Sequence, residues 1–167
     1  LTPESPAELL AAALPLTIHP QADDVLVVGI GSGAVLKNGL ETPVQSMTCW
    51  EQDADLLDLV ASPGTGIAAE VRNDPRLTLQ RVHPALASAS GTPAAYDVIV
   101  LNERQFSCWR TLGLGHTQAF TRWRDLLKPN GILCQRFEYV NYGAGPLLDV
   151  TRTLSQDSFE GRAPGTP

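Results

Sequence analysis

Residues 25–33, VLVVGIGSG, together with Glu51 decide how the rest of the chain is read. Four consecutive aliphatic residues, Val25, Leu26, Val27 and Val28, describe a strand buried on both faces, the pattern of a parallel sheet. The run breaks at Gly29, Gly31 and Gly33, where a chain leaving a strand must turn sharply and let a ligand approach its backbone. Helix-forming residues follow at once (Ala34, Val35, Leu36, Lys37), so the free amides of a helix start face that ligand. A second strand-like run over 44–50 ends in Glu51, 18 residues past Gly33. An acid at about that distance, roughly 20 residues on, is placed to accept hydrogen bonds from ribose hydroxyls. Strand, glycine turn, helix, strand and acid make a nucleoside-binding unit. Ala34 satisfies the looser dinucleotide pattern, while the extra Gly33 gives GxGxG, the more usual turn for adenosyl ligands. Both cofactor classes stay open on spacing alone, with the weight on the adenosyl one.

Outward from this unit, strands and helices alternate. Residues 5–14 read as a helix, with Ser5 as cap, Pro6 at the first helical position and Glu8 three residues after the cap. Pro15 and Pro20 are expected to punctuate the approach to the first strand. Further helices are expected over 53–60, 116–127 and 147–154, and further strands over 77–82, 96–101 and 132–137. Lys128-Pro129-Asn130-Gly131 reads as a turn. The 13 residues 103–115 have little periodicity, and a loop of that length in a compact domain is usually functional. Cys108, Trp109 and Phe106 on it are read either as a lid over the site or as packing.

Five alternations with short connections predict an α/β, Rossmann-like, doubly wound and mostly parallel sheet. One domain over 1–167 is expected, with 1–20 a helical lead-in and 159–167 a frayed tail. In such sheets the ligand sits at the carboxyl ends of the strands, where strand order reverses. Residues 29–33, 51–53, 82–84 and 102–104 are therefore expected to converge.

Composition narrows the function. The net charge of −6 disfavours binding to nucleic acid, and Arg122, Arg124 and Lys128 read as the solvated face of one helix. No apolar run approaches the roughly 18 residues of a membrane helix, so no membrane contact is expected from this segment itself. The first residue, Leu1, suggests a domain excised from a larger protein. Cys49, Cys108 and Cys134 form no CxxC pair and read as reduced thiols in a cytoplasmic setting. His19, His83 and His116 lack metal-ligand spacing, so no metal site is expected. Ser32 and Ser107 are weak candidates for a nucleophile, because GIGSG is not the GxSxG elbow.

The runs VLVVGIGSGAVLKNGL, CWEQDADLLDLV, DPRLTLQRVH, YDVIVLN and TQAFTRWRDLLKPNGILCQRF occur in the order seen in the polyamine aminopropyltransferases. Over residues 24–137 the chain resembles that family, the spermidine synthases, and in particular the spermidine-synthase-like domains attached to membrane proteins. The resemblance implies a seven-stranded methyltransferase-type sheet, of which the last strands fall outside this sequence. It implies S-adenosylmethionine or decarboxylated S-adenosylmethionine as co-substrate, and pairing of two copies. Carried over by position, Gly29, Gly31 and Gly33 line the methionine-derived end, with Ser32 where an acid is common. Glu51 holds the ribose with Gln52 beside it. His83 falls where the family contacts adenine with an aspartate. Asn102 takes the place of the aspartate that helps deprotonate the attacking amine, and is the candidate catalytic residue. A neutral amide neither attracts a polyamine cation nor removes its proton. Arg104 would repel the cation, and Glu103 or Glu138 is available as substitute negative charge. Three readings follow: a transferase with another acceptor, a nucleoside-binding module without catalysis, and a scaffold.

Overall fold

The computed structural model describes residues 6–62, 69–83, 93–102 and 117–136, with 148, 151 and 152 as single helical residues beyond them. Ser5, the 103–115 loop with its Phe106, Cys108 and Trp109, His116, Glu138 and most of the expected 147–154 helix lie outside the described residues.

Five strands form one sheet: β1 (Asp24–Val28), β2 (Ser46–Glu51), β3 (Leu77–Arg81), β4 (Tyr96–Leu101) and β5 (Leu127–Gln135), in the order β3-β2-β1-β4-β5. Every neighbouring pair is parallel. The expected doubly wound sheet is present, and its order reverses between β1 and β4. Among the described residues five helices flank the sheet, α1 (Pro6–Ile18) before β1 and then α2 (Ala34–Leu40), α3 (Ala54–Ala61), α4 (Ala69–Arg72) and α5 (Thr117–Leu126) between strands.

The central strands β1 and β4 are apolar at nearly every position because both faces are covered. Val25, Val27, Met47, Cys49, Val98 and Val100 face one layer with Ala11 and Ala12 of α1 and Val35, Leu36 and Leu40 of α2. The alternate residues, Leu26, Val28, Trp50, Ile99 and Leu101, face the other layer with Phe120, Trp123 and Leu126 of α5. Cys49 is fully buried, as expected, and burial pushes its thiol far up. Trp123 is a core residue against Trp50, with ring centroids 6.2 Å apart.

Two details differ from the sequence-based expectation. Helix α1 runs through Pro15 to Ile18 and does not stop near residue 14. Its carbonyls still find donors: His19 N reaches Pro15 O at 3.0 Å, and Thr17 Oγ1 donates to Ala13 O at 2.7 Å. The side packed on the sheet (Glu8, Ala11, Ala12, Pro15) keeps the helix whole, so tertiary burial outweighs the proline penalty of about 3 kcal/mol. Strand β5 starts at Leu127, not at 132, and ends at Gln135. The Lys-Pro-Asn-Gly turn sits inside it as an irregularity, with Tyr96 opposite Leu127 and Val98 opposite Ile132. Asn130 has φ 67°, the left-handed conformation that asparagine tolerates in a turn.

The DPR tripeptide before β3 turns out to be a strut. Arg76 pairs with Asp74 at 2.7 Å and donates to the carbonyls of Leu40, Thr42 and Val44. It thereby fixes the connection from α2 to β2 against the start of β3. Hydrogen bonding to Arg76 holds the Asp74 carboxyl below its ordinary range.

Candidate active site at the carboxyl end of the sheet

The reversal between β1 and β4 leaves a crevice where two chain segments leave the sheet side by side. From β1 comes the glycine turn, with Gly29, Gly31 and Gly33 at φ 89°, 59° and 83°. Gly33 opens α2 in the left-handed region, and Ser32 Oγ accepts the Ala34 amide at 3.3 Å. Gly31 and Ser32 are exposed at the apex of the turn. A β-carbon on Gly31 would stand 2.7 Å from Asn102 Nδ2, so the turn can lie this close to β4 only as glycine.

Glu51, the last residue of β2, is only 6% exposed and turns its carboxylate toward that turn. Oε2 accepts the Ile30 amide at 3.0 Å; Oε1 accepts the Gln52 and Asp53 amides at 2.8 and 3.0 Å. A carboxylate offers about four acceptor positions, so three amides leave one on Oε2. The acid therefore holds the glycine turn in place while keeping acceptor capacity at the crest. Asp53 caps α3 through the amides of Asp55 and Leu56.

Asn102 follows β4 and is 2% exposed. Its backbone amide extends the sheet by donating to Val28 O at 2.9 Å. Its side-chain nitrogen donates to Gly29 O at 3.1 Å and to Ile30 O at 3.4 Å, while Oδ1 accepts from Arg136 Nη1 at 3.2 Å. An amide can face a carbonyl with its NH2 and a guanidinium with its oxygen at once. A carboxylate in the same place would set oxygen against the Gly29 and Ile30 carbonyls. The Asn102 amide thus meets carbonyls with its nitrogen and a guanidinium with its oxygen.

Two participants escaped the sequence reading. Arg136, immediately after β5 and 6% exposed, also donates from Nη1 to Glu8 Oε1 at 3.2 Å. Glu8, read from sequence as the acid three residues after a helix cap, is 3% exposed and packs inward beside Ala11, Ala12 and Pro15. An acid at i on an i, i+3, i+4, i+7 buried stripe was the available signal. Glu8, Arg136, Asn102 and the glycine turn form one continuous buried polar cluster.

The remaining sequence-predicted residues lie farther out. Gln52 is half-buried beside Glu51, and His83 is exposed two residues beyond β3, next to Val82, whose amide donates to Glu51 O at 3.0 Å. Of the four patches expected to converge, the glycine turn, Glu51 and Asn102 are joined by direct hydrogen bonds, with 82–83 one strand further along. Among the described residues no three of His, Cys, Asp and Glu gather as a metal would require, and no helix is long and apolar enough to cross a membrane.

The model of the spermine/spermidine synthase domain family matches residues 7–163. The chain belongs to that family. Solved structures place its fold in the same company. The chain aligns with spermidine synthase from Thermotoga maritima at a TM-score of 0.75 and 20% identity, over 89% of this chain and 50% of that one. A spermidine synthase in complex with the transition state analogue AdoDATO aligns at 0.74 and 21%, over 89% and 49%. The ribosomal protein L11 methylase of Lactobacillus delbrueckii subsp. bulgaricus aligns at 0.61 and 16%, over 91% and 66%. No curated protein sequence matches the chain. This spermidine-synthase-like domain therefore has the fold shared by aminopropyltransferases and methylases, and spans about half the length of the two synthase structures.

Proposed function

We propose that this domain binds S-adenosylmethionine or its decarboxylated form across the crest of the sheet and serves group transfer from it to an acceptor other than the usual polyamine. The observation that carries the reading is the buried Glu51 carboxylate, hydrogen-bonded to the glycine turn and with acceptor capacity left over. In this reading Glu51 takes a ribose hydroxyl with Gln52 alongside, and His83 borders the adenine. Gly29, Gly31, Ser32 and Gly33 let the methionine-derived chain approach the backbone. The family assignment supports the co-substrate class, and the neighbour in complex with AdoDATO supports a small-molecule ligand.

Transfer from a sulfonium forms one bond from the acceptor to the carbon beside sulfur while the carbon–sulfur bond breaks and its electron pair returns to sulfur. Such a displacement depends chiefly on in-line placement of acceptor and carbon. Asn102 contributes placement, because its nitrogen is held on Gly29 O and its oxygen on Arg136. It takes no proton, so the acceptor must arrive already nucleophilic or lose its proton to solvent. Arg136 adds positive charge beside Asn102, where a polyamine would bring more. A second reading, ligand binding without transfer, is favoured by Asn102: its amide is engaged by the turn on one side and by Arg136 on the other. The free thiols of Cys49, buried, and Cys134, half-buried, suit the cytoplasmic placement proposed for the domain.

Calorimetric titration with methylthioadenosine, which carries the nucleoside and a methylthio group without the amino-acid end, tests the site, and assay with putrescine tests the acceptor. The proposal expects binding and no putrescine turnover. Glu51→Gln keeps the shape of the side chain and should weaken binding at least tenfold, by about the strength of one charge-assisted hydrogen bond.

A further inference from the structure

The cluster at the tip of β4 contains a donor that no acceptor meets. Arg136 Nε is buried without a hydrogen-bond partner, although Nη1 of the same guanidinium serves both Glu8 and Asn102. An unmatched donor on a buried charged group is costly, and each one calls for an explanation, of which an arriving acceptor is one. The guanidinium is linked to the glycine turn through its two partners. Glu8 Oε1 and Asn102 Nδ2, both within one contact of Arg136, lie 3.7 and 2.7 Å from the point where a Gly31 β-carbon would be. Opposite charges are thus fixed together here: a guanidinium with a spare N–H, and a carboxylate on the helix packed over it.

An α-amino acid is the complement of such a pair, since one carbon carries both a carboxylate and an ammonium. A carboxylate is also the planar acceptor that the guanidinium fork fits best. Of the two co-substrates left open above, intact S-adenosylmethionine ends in this zwitterion. Its decarboxylated form ends in a lone ammonium, which leaves Nε unmatched and adds a cation beside a buried arginine. We propose that Arg136 and Glu8 form a specificity site for the α-amino-acid end of the co-substrate, with the carboxylate on Arg136 Nε and the ammonium toward Glu8, so that the domain selects carboxylated over decarboxylated S-adenosylmethionine. This rests on the crest being a nucleoside site, as proposed above, and the two fail separately.

The test is calorimetric titration of the full chain with S-adenosylmethionine and decarboxylated S-adenosylmethionine, which differ only by the carboxylate, and with methylthioadenosine, which lacks the whole amino-acid end and the sulfonium charge. Binding of S-adenosylmethionine about tenfold tighter than the decarboxylated form is expected, the gain of one charge-assisted hydrogen bond. Arg136→Lys keeps the charge but removes the Nε donor, and should lower S-adenosylmethionine affinity relative to methylthioadenosine by a similar factor. If methylthioadenosine binds and the decarboxylated form binds wild type as well as S-adenosylmethionine or better, the specificity site is wrong while the nucleoside site stands. If methylthioadenosine fails to bind wild type, both are wrong. The wild-type comparison needs no variant, so a substitution that fails to fold does not rescue the proposal.

Discussion

The sheet carries an ion-paired cluster at each end, and the two differ in how they are built. At the amino end Lys128 reaches Asp24 at 2.6 Å and Asp97 at 2.9 Å, with Lys128 and Asp24 about one-third exposed (32% and 37%). Asp97 also accepts the amides of Asp23 and Asp24, so every polar group has its partner. At the carboxyl end Arg136 and Glu8 pair at 3.2 Å with their side chains 4% and 3% exposed, and a donor is left over. The amino-end cluster clips strands together under water's screening. The carboxyl-end cluster keeps charge out of water beside a glycine turn, an arrangement that stability alone does not favour. The first is architecture and the second has the marks of a site.

The contrast makes removal of charge at the two ends unequal. The largest effect is expected for Arg136→Met, which strands the Glu8 carboxylate in the interior. Breaking a buried pair from one side costs about 3–5 kcal/mol, read as a drop in the urea midpoint at unchanged slope. Adding Glu8→Leu should return much of that loss, because the stranded charge goes with it. Additive losses from the two substitutions would show that they do not act as a pair.

Next comes Asn102→Asp, which exchanges the amide for a carboxylate of the same shape. It replaces the donor to Gly29 O by an acceptor and should cost about 1–3 kcal/mol. It should also produce no turnover of putrescine, because Arg136 neutralises the new carboxylate. Putrescine turnover by this variant but not by wild type would mean that the amide, and not the surrounding cluster, excludes the polyamine.

The smallest effect belongs to the amino end. Lys128→Met should cost less than about 1 kcal/mol, the scale of a solvent-screened pair. Its pH dependence has a definite sign. Hydrogen bonds from Lys128 and Ser46 hold the Asp24 carboxyl below its ordinary value. Burial pushes the Asp97 carboxyl up, but the Asp24 amide and Lys128 outweigh it and bring it below its ordinary value. Hydrogen bonds to Asp24 and Asp97 raise the Lys128 ammonium. The carboxylate contribution is present above the unfolded value of about 4 and is lost as pH falls through the lowered folded values. The lysine contribution is present below the unfolded value of about 10.4 and is lost as pH rises through the raised folded one. The stability difference between wild type and Lys128→Met should therefore be flat from about pH 5 to 9 and shrink on both sides. A difference that grows toward acid pH would contradict the assignment.

Much of the fold is legible in the sequence because local pattern and tertiary burial agree. Tyr96–Leu101 is a strand with the expected ends, and the apolar run before Gly29 is flanked by two parallel neighbours. Pattern and burial part company at Pro15 and at the Lys-Pro-Asn-Gly segment. There, residues that stop elements in isolation are carried along, by a packed helix in one case and by pairing with β4 in the other. The candidate site was legible as far as backbone motifs reach, in the glycine turn, Glu51 and Asn102. The pairing of Glu8 with Arg136 was not, because those residues are 128 positions apart and only the sheet order brings them together. The partners of the Asn102 side chain were out of reach for the same reason: Gly29 and Arg136 come from just past β1 and β5.

The proposition that a nucleoside lies across the tips of β1 and β2 is tested most directly by titrating methylthioadenosine into wild type and Glu51→Gln in parallel. Saturable binding to wild type, weakened at least tenfold by a substitution that leaves the melting transition cooperative, is the predicted result. Equal affinity for both proteins, or no binding to wild type, would contradict it.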